Sequence, residues 1–302
     1  MLAAASLAAA LAWAPLPAAT LERTEVAAAR IGSSIYVVGG FVAGGASTNA
    51  VERYDIRRRR WSRMRPMPLA LNHTTATSHR GRLYVQGGYE GPLSQPTGAL
   101  LRYNPATNRW RQLTAAPTPR AAQAAAFIGE RLYVAGGANG SGSLRSLEIY
   151  DVGRRRWRSG PSFSGPARNH TTGVATGGRL YVLAGRDSTN LAAAERYDPR
   201  RGRWERLPHL GTPRGGIASV RLGDGRIVVF GGEEIEPNGT TIAEVELFDP
   251  RTRRWRALPD MRTPRHGLGG AAVGHRVFAL EGGPQPGLAF SNAIEFLDVP
   301  QR

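Results

Sequence analysis

A block of roughly fifty residues recurs six times along the chain, and no other feature restricts its folding so tightly. A strand-like run ending in a glycine pair appears as IYVVGG (35–40), LYVQGG (83–88), LYVAGG (132–137), IVVFGG (227–232) and VFALEGG (277–283). The fourth copy, LYVLAG (180–185), carries Ala184 in the first glycine's place. Each run is followed by a loop rich in Gly, Ser, Asn or Pro, and then by VERYD, LLRYN, LEIYD, AERYD, VELFD or IEFLD. A tryptophan comes next, at Trp61, Trp110, Trp157, Trp204 and Trp255, with spacings of 49, 47, 47 and 51.

Alternating apolar, β-branched and aromatic residues describe strands. A glycine pair lets the backbone bend and approach a neighbour where a side chain would clash. Asp198-Pro199 and Asp249-Pro250 suit tight turns between strands. One such unit cannot bury its own faces, so the copies must stack, and closing them into a ring protects the sheet edges. No cysteine is present, which excludes disulfides, zinc–thiolate sites and cysteine nucleophiles. No run reaches the ~20 consecutive apolar residues of a membrane span.

The double glycine, the aromatic in the next strand and the tryptophan after it resemble the kelch repeat over essentially the whole chain. The resemblance implies an all-β fold: a six-bladed β-propeller with four antiparallel strands per blade, in one domain covering 13–302. The blades are placed near 23–66, 71–115, 120–162, 168–209, 214–260 and 265–302 plus 13–18. Copper-radical oxidases that share kelch blades are excluded, because their crosslinked cofactor needs a cysteine. No cofactor is expected.

Copy six reaches Asp298 without a tryptophan strand behind it. Trp13-x-x-Leu16-Pro17 repeats the spacing of Trp204…Leu207-Pro208 and Trp255…Leu258-Pro259, and Trp13 to Arg23 spans 10 residues, as does Trp110 to Arg120. Residues 13–18 are therefore expected to be the outer strand of the last blade. Residues 1–12, MLAAASLAAALA, read as the remnant of an export signal, which favours an exported protein, periplasmic or extracellular, over a cytoplasmic one.

The chain carries 40 basic and 23 acidic residues, a formal charge of +17, and every basic residue is arginine. In kelch-like blades the one-to-two and three-to-four turns share one face. The three-to-four turns hold Arg57 to Arg60, Arg109, Arg154 to Arg156, Arg200, Arg201, Arg203, Arg251, Arg253 and Arg254. Such a rim would suit an anionic envelope polymer, or be a solvated face; without interleaved aromatics no specific nucleic acid is expected. The opposite face surrounds the funnel into the central channel. There the blades begin with Arg23, Arg120, Arg168, Arg214 and Arg265, with Leu71 at the odd position. Arginine's planar fork meets carboxylates bidentately, so these residues are candidates to hold an acidic peptide or glycan, together with Asn72, His73, Asn169, His170 and His266. The alternative for the arginines is that they tie blades together.

His73, His170 and His266 come from blades two, four and six, but His266 aligns with Asn72 and Asn169, one residue early. Two histidines with Glu25 are the remaining combination, and no metal is expected. The weak catalytic candidates are Glu25, His73 and Glu281, with Glu25 and His73 as an acid–base pair. Glu281 and Gln86 read as polar replacements of the apolar residue before the glycine pair, facing the channel. The repeated Glu52, Glu148, Glu195, Glu246 and Glu295 read as structural, accepting backbone N–H bonds. The favoured function is a non-catalytic binding propeller. The alternatives are a carbohydrate-active enzyme resembling the sialic-acid epimerases of the kelch group, and a basic scaffold.

Overall fold

The computed structural model describes residues 11–91, 95–234 and 239–302. The reading of residues 1–12 as an export-signal remnant falls almost wholly outside these. Among the described residues there is no helix, and so none long and apolar enough to cross a membrane.

Six four-stranded antiparallel sheets form the blades. Blade one runs Ala27–Ile31, Ser34–Val38, Val51–Asp55 and Arg60–Arg63. Blade two is Thr75–His79, Arg82–Gln86, Leu100–Asn104 and Arg109–Gln112. Blade three is Ala124–Ile128, Arg131–Ala135, Leu147–Asp151 and Arg156–Gly160. Blade four is Thr172–Thr176, Arg179–Arg186, Asn190–Asp198 and Arg203–Leu207. Blade five is Ala218–Arg221, Ile227–Phe230, Val245–Asp249 and Arg254–Leu258. Blade six is Gly269–Val273, Arg276–Leu280 and Ile294–Asp298, completed by Ala14–Leu16 from the other end of the chain. The first strands of neighbouring blades touch in a closed ring around the axis.

The splice expected from the tryptophan spacing is present. Ala14, Pro15 and Leu16 pair with Phe296, Glu295 and Ile294. The indole of Trp13 donates to Pro259 O at 2.9 Å, as Trp61 does to Pro17 O and Trp255 to Pro208 O. Every tryptophan thus fastens its blade to the outer strand of the blade before it, and the N-terminal strand completes the circle.

The second residue of each pair is glycine in all six copies, and packing leaves no room there for a side chain. A Cβ on Gly40 would lie 2.5 Å from Thr24 O, and on Gly88, Gly137, Gly185 or Gly282 2.7 Å from a carbonyl of its own blade's start. Its N–H also crosses the seam, as from Gly40 to Leu71 O and from Gly88 to Arg120 O. The first position is as tight in blades one and two, where a Cβ on Gly39 or Gly87 would lie 2.3 or 2.4 Å from Leu71 O or Arg120 O. Yet in blades four and six Ala184 and Glu281 occupy it with positive φ, at 51° and 55°. This register corrects the sequence reading of Glu281. Leu280 pairs with Gly269 as Val38 pairs with Ala27, so Glu281 replaces the first glycine, not the apolar residue before it.

Candidate functional site

Arg23, Arg120, Arg168, Arg214 and Arg265 are fully buried. Each pairs with the repeated glutamate of its own blade: Arg23 with Glu52 at 2.9 Å, Arg120 with Glu148 at 3.2 Å, Arg168 with Glu195 at 3.0 Å, and likewise Arg214 with Glu246 and Arg265 with Glu295. Spare guanidinium N–H groups go to backbone carbonyls around the glycine pair, as from Arg120 to Gly136 O. The glutamates also accept backbone N–H bonds, from Thr20 to Glu52 and from Ser164 and Gly165 to Glu195, at the connection between blades. Blade two, which has Leu71 for the arginine, has Leu101 for the glutamate, and both sit in one apolar cluster. The ion pair is therefore lost or kept as a unit. Arg23 has a second partner: Glu281 grips it with both oxygens at 2.8 Å, across the seam between blades six and one. Burial pushes the Glu281 carboxyl up to about 7, against the pull of Arg23. Gln86 faces Gln123 of blade three at 2.9 Å, so it too serves a seam.

Inside this ring the copies differ. The two residues after each arginine position reach the axis, where Glu25, His73, Ala122, His170, Gly216 and Gly267 form a neck. Five backbone bonds run around it, among them His73 N–H to Glu25 O and Ala122 N–H to His73 O. The neck opens into a channel cavity of about 140 Å³ whose walls carry small residues such as Ala28, Ala76, Ala125, Gly173, Ala218 and Gly270.

His73 Nε2 lies 3.2 Å from Glu25 Oε2 and 3.0 Å from His170 Nε2. The structure also brings in His266 despite its earlier register: its Nδ1 is 3.3 Å from Glu25 Oε1 and 3.6 Å from Glu233 Oε2. Arg186 bridges Glu233 at 2.7 Å and His170 Nε2 at 2.8 Å. Asn72 and Asn169 present Oδ1 to the Nδ1 of the histidine that follows each. Phe41 and Tyr89 meet the His73 ring edge-on, at 5.8 and 5.7 Å. At the equivalent positions blade three carries Ala121, Ala122 and Ala138.

Burial holds His73 and His170 below the ordinary imidazole value, with Arg186 adding to it in both. His266 goes the other way: its bond to Glu25 and the charges of Glu25 and Glu233 outweigh burial and keep its proton to higher pH. Burial alone would raise Glu25, but the facing histidines hold its carboxyl well below the usual range.

Sequence reasoning passed over Arg186, although a signal for it exists. The residue after each glycine pair runs Phe41, Tyr89, Ala138, Arg186, Glu233, Gly283, and each bridges back to the start of its blade. Aligned this way, the position that changes chemistry from blade to blade is visible in the sequence alone. On the opposite face the arginines of the three-to-four turns, from Arg57 to Arg254, are all exposed.

The geometry agrees with comparisons to known proteins. The KLHDC2/KLHL20/DRC7 Kelch-repeats domain model matches residues 25–232, and the Kelch motif model matches 218–262. Kelch-like protein terF of Aspergillus terreus is 28% identical over 314 residues, covering 95% of this chain and 68% of that protein. Kelch-like protein 34 of Homo sapiens is 38% identical over 81 residues, covering 26% of this chain but 13% of that protein. The solved structure of YjhT superposes with a TM-score of 0.81 over 95% of this chain and 98% of that one, at 16% identity, which speaks for the fold alone. Repeat, register and family model converge: the chain belongs to the kelch-repeat family and is a six-bladed propeller of the kind that serves as a scaffold for binding partners.

Proposed function

We propose that the protein is a non-catalytic binding propeller whose partner, an acidic peptide or glycan, presents its acidic group to the neck on the loop face. One observation carries this reading. Residues that serve the repeat recur in blade after blade, as the Arg–Glu pairs do. Arg186, Glu233 and His266 each occur in one blade alone, and His170 has a counterpart only in His73, yet they converge on one spot. With the five blade-opening arginines sealed in ion pairs, Arg186, with a side chain 20% exposed, is the guanidinium at the neck with reach toward solvent.

The test is thermal shift with a panel of sialic and uronic acids and of Asp/Glu-rich peptides. At least one class is expected to raise the melting temperature, and Arg186→Ala is expected to abolish that shift. A panel without effect, or a shift that survives Arg186→Ala, overturns the reading. The contact of Glu25 with His73 supports the enzymatic alternative, for which NMR of the same sugars would show interconversion of anomers.

A further inference from the structure

Three acceptor atoms converge on the propeller axis: Glu25 Oε2, His73 Nε2 and His170 Nε2, all within 4.8 Å of one another. Their neighbours fix which hydrogens are present. The Asn72 amide nitrogen donates to Gly91 O at 2.9 Å and to Ser47 Oγ at 2.7 Å, so its Oδ1 is the atom 2.6 Å from His73 Nδ1. That oxygen only accepts, and His73 Nδ1 therefore carries the hydrogen. His170 Nε2 receives an N–H from Arg186, a group that only donates, so His170 too has its hydrogen on Nδ1, facing Asn169 Oδ1. His73 thus turns a bare Nε2 lone pair toward a carboxylate oxygen and toward His170 Nε2, whose own lone pair accepts the Arg186 N–H. The lone pairs of His73 Nε2 and Glu25 Oε2 face each other at 3.2 Å with no hydrogen between them, and repel unless a cation lies there.

We propose that Glu25, His73 and His170 form a two-histidine, one-carboxylate site for a first-row divalent metal ion at the loop-face end of the channel. The spacing suits such an ion: at metal–nitrogen distances of about 2.1 Å, nitrogens 3.0 Å apart subtend roughly a right angle. Imidazole with carboxylate is a donor set that zinc and its first-row neighbours accept. Asn72 and Asn169 supply the outer partners that orient ligating histidines through Nδ1–H. The other neck positions, Ala122, Gly216 and Gly267, bring no competing side chain and leave coordination positions open toward the cavity. His266 holds the second oxygen of Glu25 and stays outside the ligand set. Arg186 competes for His170 Nε2, so the ion displaces it onto Glu233, its partner already at 2.7 Å.

The site does not depend on the acidic partner proposed above. Zinc is titrated calorimetrically into untagged, chelator-treated protein, and Co²⁺ uptake is followed by its visible absorption. One equivalent is expected to bind in the micromolar range or tighter, with a Co²⁺ spectrum of nitrogen–oxygen ligation. His73→Ala, His170→Ala and Glu25→Gln are each expected to weaken binding at least about tenfold, whereas Arg186→Ala, which removes the competing cation, tightens it. His79→Ala, at the separate His79–Glu130 contact, is expected to change nothing. Circular dichroism of each variant shows that it is folded, and the wild-type Co²⁺ spectrum needs no variant at all. No uptake at about 100 µM metal overturns the proposal and assigns the cation among the lone pairs to a proton. Binding that survives His170→Ala, or that is lost in Arg186→Ala, overturns it as well. Zinc binding in a protein that ignores every acidic ligand would remove the proposed function and leave the metal site standing.

Discussion

The pairing of Arg120 with Glu148, and of Leu71 with Leu101, shows one structural slot filled in two ways. Removing one partner of a buried ion pair leaves an uncompensated charge and costs about 3–5 kcal/mol, while replacing both by apolar residues is often close to neutral. Arg120→Leu alone should therefore destabilise strongly. Adding Glu148→Leu should restore a large part, since among the described residues the one further hydrogen-bond partner of Glu148 is Thr118 Oγ1. Urea unfolding of the two single variants and the double variant measures this, and strictly additive losses would show that the pair does not act as a unit. Glu281 gives a second expectation at the same scale. Its folded pKa of about 7 lies above the ordinary 4.5, so between those values the native state binds the extra proton. The stability it contributes is fully present below pH 4.5 and lost as the pH rises through 7. Relative to Glu281→Gln, the wild type should lose up to about 3 kcal/mol between pH 4.5 and 8. Parallel pH profiles for the two proteins would contradict this.

Among the elements, Ala14–Leu16 does most for the closure of the ring. It is the outer strand of blade six, and Trp13 beside it packs on Phe230 with ring centroids 5.8 Å apart. Deleting residues 1–18 should lower the melting temperature sharply, because it exposes the edge of Ile294–Asp298 and leaves Trp61 without the Pro17 carbonyl. Trp13→Ala should cost about 3–5 kcal/mol by the cavity it opens. An unchanged melt after the deletion would mean that blade six stands on three strands. This strand was legible in the sequence because Trp13 to Arg23 repeats the spacing of Trp110 to Arg120, Trp204 to Arg214 and Trp255 to Arg265. The misplacement of Glu281 has the opposite cause. Gly283 follows Gly282 and imitates the pair, and only the strand pairing reveals that the obligatory glycine is Gly282. The funnel arginines were found at the right positions, but their glutamate partners lie some thirty residues away, a separation no local pattern reports. Arg186 was missed for a related reason: it occupies a position where every blade has a different residue, so the repeat gives no template for it.

Seen whole, the propeller separates its charges. Antiparallel blades put the one-to-two and three-to-four turns on the same face, opposite the neck. Of the 40 arginines, those at the starts of blades are neutralised by glutamates, whereas the long runs at 57–60 and 154–156 lie exposed with few acidic neighbours. Asp55 and Asp151 turn partly toward their own loops, accepting backbone N–H bonds from Arg58 and Arg154. Much of the +17 is therefore displayed on one rim, and we propose that it attracts polyanions collectively. Retention on heparin should fall steeply with salt, the logarithm of affinity dropping in proportion to the number of anionic groups engaged. Replacing Arg57, Arg58, Arg154 and Arg155 by Gln should flatten that slope without lowering the melting temperature, since all four are exposed. Arg186→Ala, on the far face, should leave it unchanged. A slope that ignores the four rim changes would assign the attraction to the molecule's overall charge and not to a binding face.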